Sequence, residues 1–241
     1  ESCCKIGKIL GHSEVSVMQL LNKHGHDTSD WKYHVDKTFF SQIDTEHKAY
    51  VLGWMYSDGN VISDGARGGK WRISIAISDE EILLKIKNIV KYDGPLHYKS
   101  KEGNRQKQVE LCVNRQEMVN DLIKLGCVPA KSLILTLPSY EQVPKELFHH
   151  FIRGVFDGDG SISSGMTLCG SYDFTHELAK ILPCKITNIY QRYKNKPIRE
   201  SAHQLFIGRQ SEITKFFNWL YQDATIYLER KRNKVLKYLN D

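Results

Sequence analysis

One short pattern occurs twice in the chain. "AYVLGWMYSDGNV" (Ala49–Val61) and "HFIRGVFDGDGSI" (His150–Ile162) each read as an apolar helix that ends in an acid followed by a glycine. In each copy one glycine stands six positions before another: Gly53 before Gly59, and Gly154 before Gly160. A glycine inside a helix gives up about 1 kcal/mol of helix propensity relative to alanine, so its presence at the same place in both copies needs a reason. Close approach of another backbone supplies one. The spacing predicts that the two helices pack on each other through Gly53 and Gly154, at the centre of a pseudo-two-fold fold. Gly59 and Gly160 are expected to let each chain turn sharply into a following strand.

The surrounding order repeats as well. Asp44 or Thr45 can cap a helix through "EHKAYVLGWMYS". "NVISDGARGGKWRISIAIS" then reads as a hairpin, with Trp71, Ile73, Ile75 and Ile77 on one face and Arg72, Ser74, Ala76 and Ser78 on the other. "DEEILLKIKNIVKY" is a helix capped by Asp79, and "GPLHYKSKEGNRQKQVELCVN" is a second hairpin turning near Glu102-Gly103-Asn104. "RQEMVNDLIKLG" is a further helix closed by Gly126. After the connector "VPAKSLILTLPSYEQVP" the order restarts, with Pro144 suited to a first helical turn. A basic helix in "TIYLERKRNKVLKYL" ends the chain. Helix–hairpin–helix–hairpin–helix, twice over, is a diverged duplication of α+β class. The expected halves are 44–138 and 139–241.

Ahead of them, residues 1–26 read as two short helices joined by Gly11-His12-Ser13. The arrangement resembles a partial helix-turn-helix unit, whose second helix would enter a DNA major groove. Residues 27–43 read as a linker.

Two carboxylates at helix C-termini, Asp58 and Asp159, face the negative end of each helix dipole, an unfavourable place unless a cation joins them. Oxygen ligands of this kind suit Mg²⁺, which bonds one or two carboxylates and the phosphates of a substrate. Such a centre supplies a nucleophilic water and stabilises the leaving oxygen. One centre per strand would cut a duplex. Asp157, matched by Tyr56 in the first copy, reads as a packing or locally hydrogen-bonded residue.

The formal charge of +6 fits a polyanionic partner. Basic residues gather at Arg67, Lys70 and Arg72, at Lys99, Lys101, Arg105 and Lys107, and at Arg192, Lys194, Lys196 and Arg199. The six cysteines contain no C-x-x-C pair, and the ten histidines no H-E-x-x-H, so neither a zinc site nor a disulfide framework is expected. No apolar run approaches the roughly 20 residues of a membrane span. With no signal-peptide pattern either, the expectation is a soluble intracellular protein of cytoplasm, nucleoid or organelle, with no membrane partner.

Aligned by their glycines, "VLGWMYSDG" (Val51–Gly59) and "IRGVFDGDG" (Ile152–Gly160) resemble the nine-residue signature of the LAGLIDADG homing endonucleases in their single-chain, two-motif form. The resemblance runs from about Phe40 to the C-terminus, and "LGCVPAKSLILTLP" is similar to intron- and intein-associated members. It implies two αββαββα halves forming an antiparallel β-saddle over duplex DNA, in a monomer. It also implies a site-specific double-strand cut in a long DNA target, across the minor groove, leaving short 3′ overhangs. Asp58 and Asp159 would bind two or three Mg²⁺ ions, replaceable by Mn²⁺, with the Ser57 and Gly158 backbone carbonyls as further ligands. Lys131 and Lys231 would organise solvent or stabilise phosphate charge.

On the saddle every second strand residue faces the groove. That phase gives Arg72, Ser74 and Ser78, and then Lys99 and Lys101 because Leu96 and Tyr98 look inward. Arg67, Lys70, Arg105, Arg192, Lys194 and Arg199 complete the expected contacts. The same resemblance leaves an intron RNA maturase or a DNA-binding regulator as alternatives. Self-splicing is not expected of the chain as given, which ends "YLND" rather than in His-Asn, and an excised intein endonuclease domain stays open.

Overall fold

The computed structural model describes residues 2–26, 33–63, 69–100 and 107–240. The turns of both hairpins in the first half, and with them Arg67, Lys101 and Arg105, lie outside the described residues, as does Glu102-Gly103-Asn104.

The repeated motifs form the two central helices, α3 (Glu46–Tyr56) and α6 (Phe148–Asp159). All residues of α3 from Ala49 to Tyr56 are buried, as expected of a helix that is apolar on every side. The glycines are where the backbones meet. A Cβ on Gly53 would lie 2.8 Å from the Gly154 Cα and closer still to the Phe151 carbonyl oxygen. A Cβ on Gly154 would lie 3.0 Å from the Gly53 Cα and closer still to the Tyr50 carbonyl oxygen. Gly59 and Gly160 have a different role from the one expected. Neither has a positive φ, and a Cβ on Gly59 would strike the Met55 backbone, one on Gly160 the Phe156 ring and carbonyl. They let each strand leave its helix at close range.

Each half carries a four-stranded antiparallel sheet. In the first, β1 (Gly59–Ile62), β2 (Lys70–Ala76), β3 (His97–Lys99) and β4 (Gln108–Asn114) lie in the order β1-β2-β4-β3. Helices α4 (Glu80–Ile89) and α5 (Gln116–Lys124) cover its inner face. In the second, β5 (Ser161–Ile162), β6 (Met166–Gly170), β7 (Asn188–Gln191) and β8 (His203–Ile207) lie in the order β5-β6-β8-β7. The helices there are α7 (Tyr172–Ile181), α8 (Gln210–Tyr221) and the basic α9 (Glu229–Asn240). The two orders are the same under the motif repeat.

Two readings from the sequence are corrected. First, β2 stops at Ala76; Ile77 and Ser78 belong to a 3-10 turn, where Ile77 is 40% exposed and Ser78 is exposed. The alternation continues in the sequence past the last ladder bond, Ile77 N–H to the Lys107 carbonyl, so Ser78 is not a sheet residue. Secondly, the described part of the expected linker contributes to the core: Val35, Phe39, Phe40 and Ile43 are buried, and the Phe40 ring meets Trp71 edge-on at 5.7 Å.

At the extension, α1 (Cys3–Leu10) and α2 (Glu14–Lys23) form with Ser13 as N-cap and Gly11 at φ +69. Ser2 Oγ donates to Asp93 of the first half at 3.0 Å.

A polar network centred on the buried Arg153 joins the halves at the other end of the central helices. The Glu46 carboxylate, in the first turn of α3, accepts from Arg153 Nη2 at 2.5 Å and from the Thr225 amide and hydroxyl at 2.7 Å each. Arg153 has no exposed surface; it also donates to the carbonyls of Ile226 at 2.9 Å and Leu220 at 2.8 Å, and lies 2.8 Å from His150 Nδ1. Burial lowers the pKa of His150 and the Arg153 charge lowers it further. The guanidinium has only donors, so Nδ1 must be the acceptor and His150 is neutral.

Candidate metal centre and nucleic-acid interface

The close crossing of α3 and α6 sets their C-terminal ends side by side. A Cβ on Gly158 would run into the Ser57 side chain and come within 3.4 Å of Asp58 Oδ2. Asp58 follows α3 and Asp159 ends α6; both are open to solvent but crowded by protein. Burial, and then the charge of Asp159, push the Asp58 carboxyl up to about 6. Burial raises Asp159 too, opposed by Lys231, Lys131 and Arg192.

The two lysines stand at equivalent places. Lys131, on a 3-10 turn after α5, donates to the Gly59 carbonyl at 2.5 Å and the Ser57 carbonyl at 3.2 Å. Lys231, in the first turn of α9, donates to the Gly158 carbonyl at 2.7 Å and the Phe156 carbonyl at 2.9 Å. Both are under a tenth exposed. Burial lowers both: Lys131 against the pull of Cys127, Asp159 and Asp58, and Lys231, to about 8, against that of Asp157, Asp58 and Asp159. The Ser57 and Gly158 carbonyls therefore already accept from lysine, each with a second lone pair to spare.

Asp157 is not a local hydrogen bonder. Its Oδ2 accepts from Tyr50 Oη at 2.7 Å and from the Leu228 amide at 2.8 Å, tying the first central helix to the start of α9. At the matching position Tyr56 Oη donates to the Leu125 carbonyl at 2.5 Å, just ahead of the Lys131 turn. Each motif thus fastens the segment that carries its lysine, one as acceptor and one as donor.

The donor set fits a hard cation. Two mutually repelling carboxylates with carbonyl oxygens beside them suit Mg²⁺ or Ca²⁺ rather than a thiolate- or imidazole-binding metal. Among the described residues no three or more His, Cys, Asp or Glu side chains are grouped to hold an ion by themselves.

The strand register defines the outer face of the first sheet in rows: Asn60, Arg72 and Cys112; Ser74, Glu110 and His97; Ala76, Gln108 and Lys99. Lys70 pairs with Asn114 on the same face. Lys70, Arg72, Ser74 and Lys99 thus share this outer face. Tyr98 shares the inner-face row with Val109, yet it is 61% exposed at the sheet edge, its hydroxyl on Glu80. Glu110, missed in the sequence, sits among the basic residues, 2.7 Å from Lys99 Nζ and 3.6 Å from Arg72 Nη1. Its period-two position in "QVELCVN" was the available signal.

In the second half Arg192 lines a cleft with Ser57, Asp159 and Cys169. Lys194 is exposed in the β7–β8 connection. Arg199 is turned away, donating to both Asp173 oxygens at 2.6 Å and stacked over Tyr172 at 4.6 Å.

Two crossed motif helices, each leading into a four-stranded sheet of the same order, give the chain the fold of solved LAGLIDADG homing endonucleases. Solved structures agree over most of the chain. The homing endonuclease I-WcaI bound to its DNA recognition sequence matches 81% of this chain and 91% of its own at a TM-score of 0.56 and 10% identity. The LAGLIDADG homing endonuclease I-GzeII in complex with its DNA target matches 80% and 89% at 0.52 and 11% identity. Mesophilic variants of the homing endonuclease I-DmoI match 84% and 99% at 0.50 and 12% identity. No family model matches the sequence. Among the described residues no helix is long and apolar enough to cross a membrane.

Proposed function

We propose that this chain is a site-specific DNA endonuclease that hydrolyses one phosphodiester in each strand of a duplex, using Mg²⁺ (or Mn²⁺) held by Asp58 and Asp159. The observation that carries this reading is the pair of acid–lysine sets brought together by the Gly53–Gly154 crossing. When bound, the cation supplies a nucleophilic water and Lewis acidity. The chain's own residues do the rest. Asp58 and Asp159 hold positive charge between the halves, with the Ser57 and Gly158 carbonyls as further ligands. Lys131 and Lys231, fixed by carbonyls and shielded from bulk water, offset the negative charge that builds on the phosphate. Arg192 adds a cation beside Asp159. Lys70, Arg72, Ser74 and Lys99 face the major groove, and Lys194 the phosphates. The fold's neighbours include complexes with DNA targets, with uncleaved DNA in the presence of calcium, and with cleaved DNA. A chain that carries both halves needs no second copy to cut both strands and acts as a monomer. A DNA-binding regulator would not need both acids, and both are here.

The test is cleavage selection from a large duplex library with Mg²⁺, beside the Asp58→Asn/Asp159→Asn variant. One long site cut by the wild type alone, with short 3′ overhangs and retained binding by the variant, is expected. Cutting of both strands at the wild-type rate by each single variant would overturn the two-acid mechanism.

A further inference from the structure

The two sheets share one topology, but their outer faces differ in chemistry. The first presents Lys70, Arg72, Lys99 and Glu110. The second, by its register, presents Ser161, Thr167, Asn188 and Phe206 in one row and Cys169, Gln204 and Tyr190 in the next. No strand residue described on that face carries a charge. Phe206 is only half-buried there, on a middle strand. Tyr190, 48% exposed, lies beside it with ring centroids 6.1 Å apart. The inner positions of the same strands, Leu205, Ile207, Leu168 and Met166, have no exposed surface, so the aromatic pair is not spilled core.

A phenyl ring has nothing to offer the hydrogen-bonding edges of bases. Its counterpart in the major groove is the thymine C5-methyl, the one apolar group the base pairs present there. The face also continues the basic face of the first sheet through the pseudo-two-fold, and Arg192 and Lys194 border it where backbone phosphates would run. We propose that the second sheet recognises a thymine-bearing half-site through methyl contacts with Phe206 and Tyr190, whereas the first reads its half-site through charged groups. This rests on the duplex-DNA reading given above. Asn188 and Gln204, on either side of the rings, can each bond an adenine edge, which favours A·T pairs at the same steps.

The experiment starts from duplexes selected from a random library by binding to the full chain. Lys99→Ala marks the half-site of the first sheet by changing its preferences. In the other half each thymine is replaced by deoxyuridine, which removes only the methyl. Loss of one buried methyl weakens binding about fourfold. That loss is expected at one or two positions in the wild type, at fewer positions in Phe206→Ala, and at none in Tyr190→Ala/Phe206→Ala, whose melting temperatures report that the inner face still packs. Tight duplex binding that is indifferent to deoxyuridine, or a second half-site without thymine, overturns the inference and leaves the endonuclease reading standing. Failure to select any duplex overturns both.

Discussion

The crossing of the central helices allows one substitution to be worked through. Gly53→Ala sets a methyl 2.8 Å from the Gly154 Cα and from the Val155 nitrogen, and closer to the Phe151 carbonyl. Carbon atoms rest at roughly 3.5–4.0 Å, so α3 and α6 must part by about 1 Å. The obstacle is backbone, and no flexible side chain can yield in its place. Overpacking of this kind belongs at the upper end of the usual range, about 3 kcal/mol. Alanine returns about 1 kcal/mol of helix propensity. The net loss is about 2 kcal/mol, and for a chain of this size roughly 2–4 °C accompany each kcal/mol, so the melting temperature should fall by about 4–8 °C. Gly154→Ala should behave alike. The double variant should lose less than the sum, because one parting makes room for both methyls. Thermal unfolding in metal-free buffer reads all three. A Gly53→Ala protein that melts with or above the wild type would refute the close crossing, and strict additivity would refute the shared contact.

Asp157 gives a test of its tether. Asp157→Leu leaves the Tyr50 hydroxyl and the Leu228 amide buried without an acceptor, at about 1–3 kcal/mol each; Asp157→Asn keeps an oxygen for them. Urea unfolding should rank leucine well below asparagine, and equal stability of the two would show that neither bond matters. His150 gives an acid limb to the stability curve. Its folded pKa lies below the ordinary 6.5 because of burial and the Arg153 charge. The unfolded chain therefore binds the proton first, and stability should fall as pH drops below about 6.5. His150→Gln, which keeps an acceptor for Arg153, should flatten that fall between pH 6.5 and 5; an unchanged slope would assign it to other groups.

The features most visible in the sequence were those with a local signature. Gly53 and Gly154 stand out because backbone contact excludes every side chain, and the first hairpin because Trp71, Ile73 and Ile75 alternate cleanly with polar residues. The second half was less legible. Its inner rows include Gln191 and His203 and its outer rows Tyr190 and Phe206, so hydrophobicity does not mark the faces there. The end of β2 was hidden because Ile77 and Ser78 keep the strand rhythm after the hydrogen bonds have stopped. The roles of Asp157, Arg153 and Glu46 depend on partners 67 to 180 residues away, and no spacing along the chain encodes them.

The Glu46–Arg153 pair bears on how such a chain avoids associating with copies of itself. Under the repeat that matches Gly53 to Gly154, Glu46 corresponds to Leu147 and Arg153 to Leu52. Two second halves brought together would each leave a guanidinium facing leucine in a dry interior. Two first halves would leave the Glu46 carboxylate, which is partly exposed, without its guanidinium partner. An unpaired buried charge is far more costly than a missed contact. The ion pair therefore makes the two halves chemically distinct partners, each suited to the other rather than to a copy of itself.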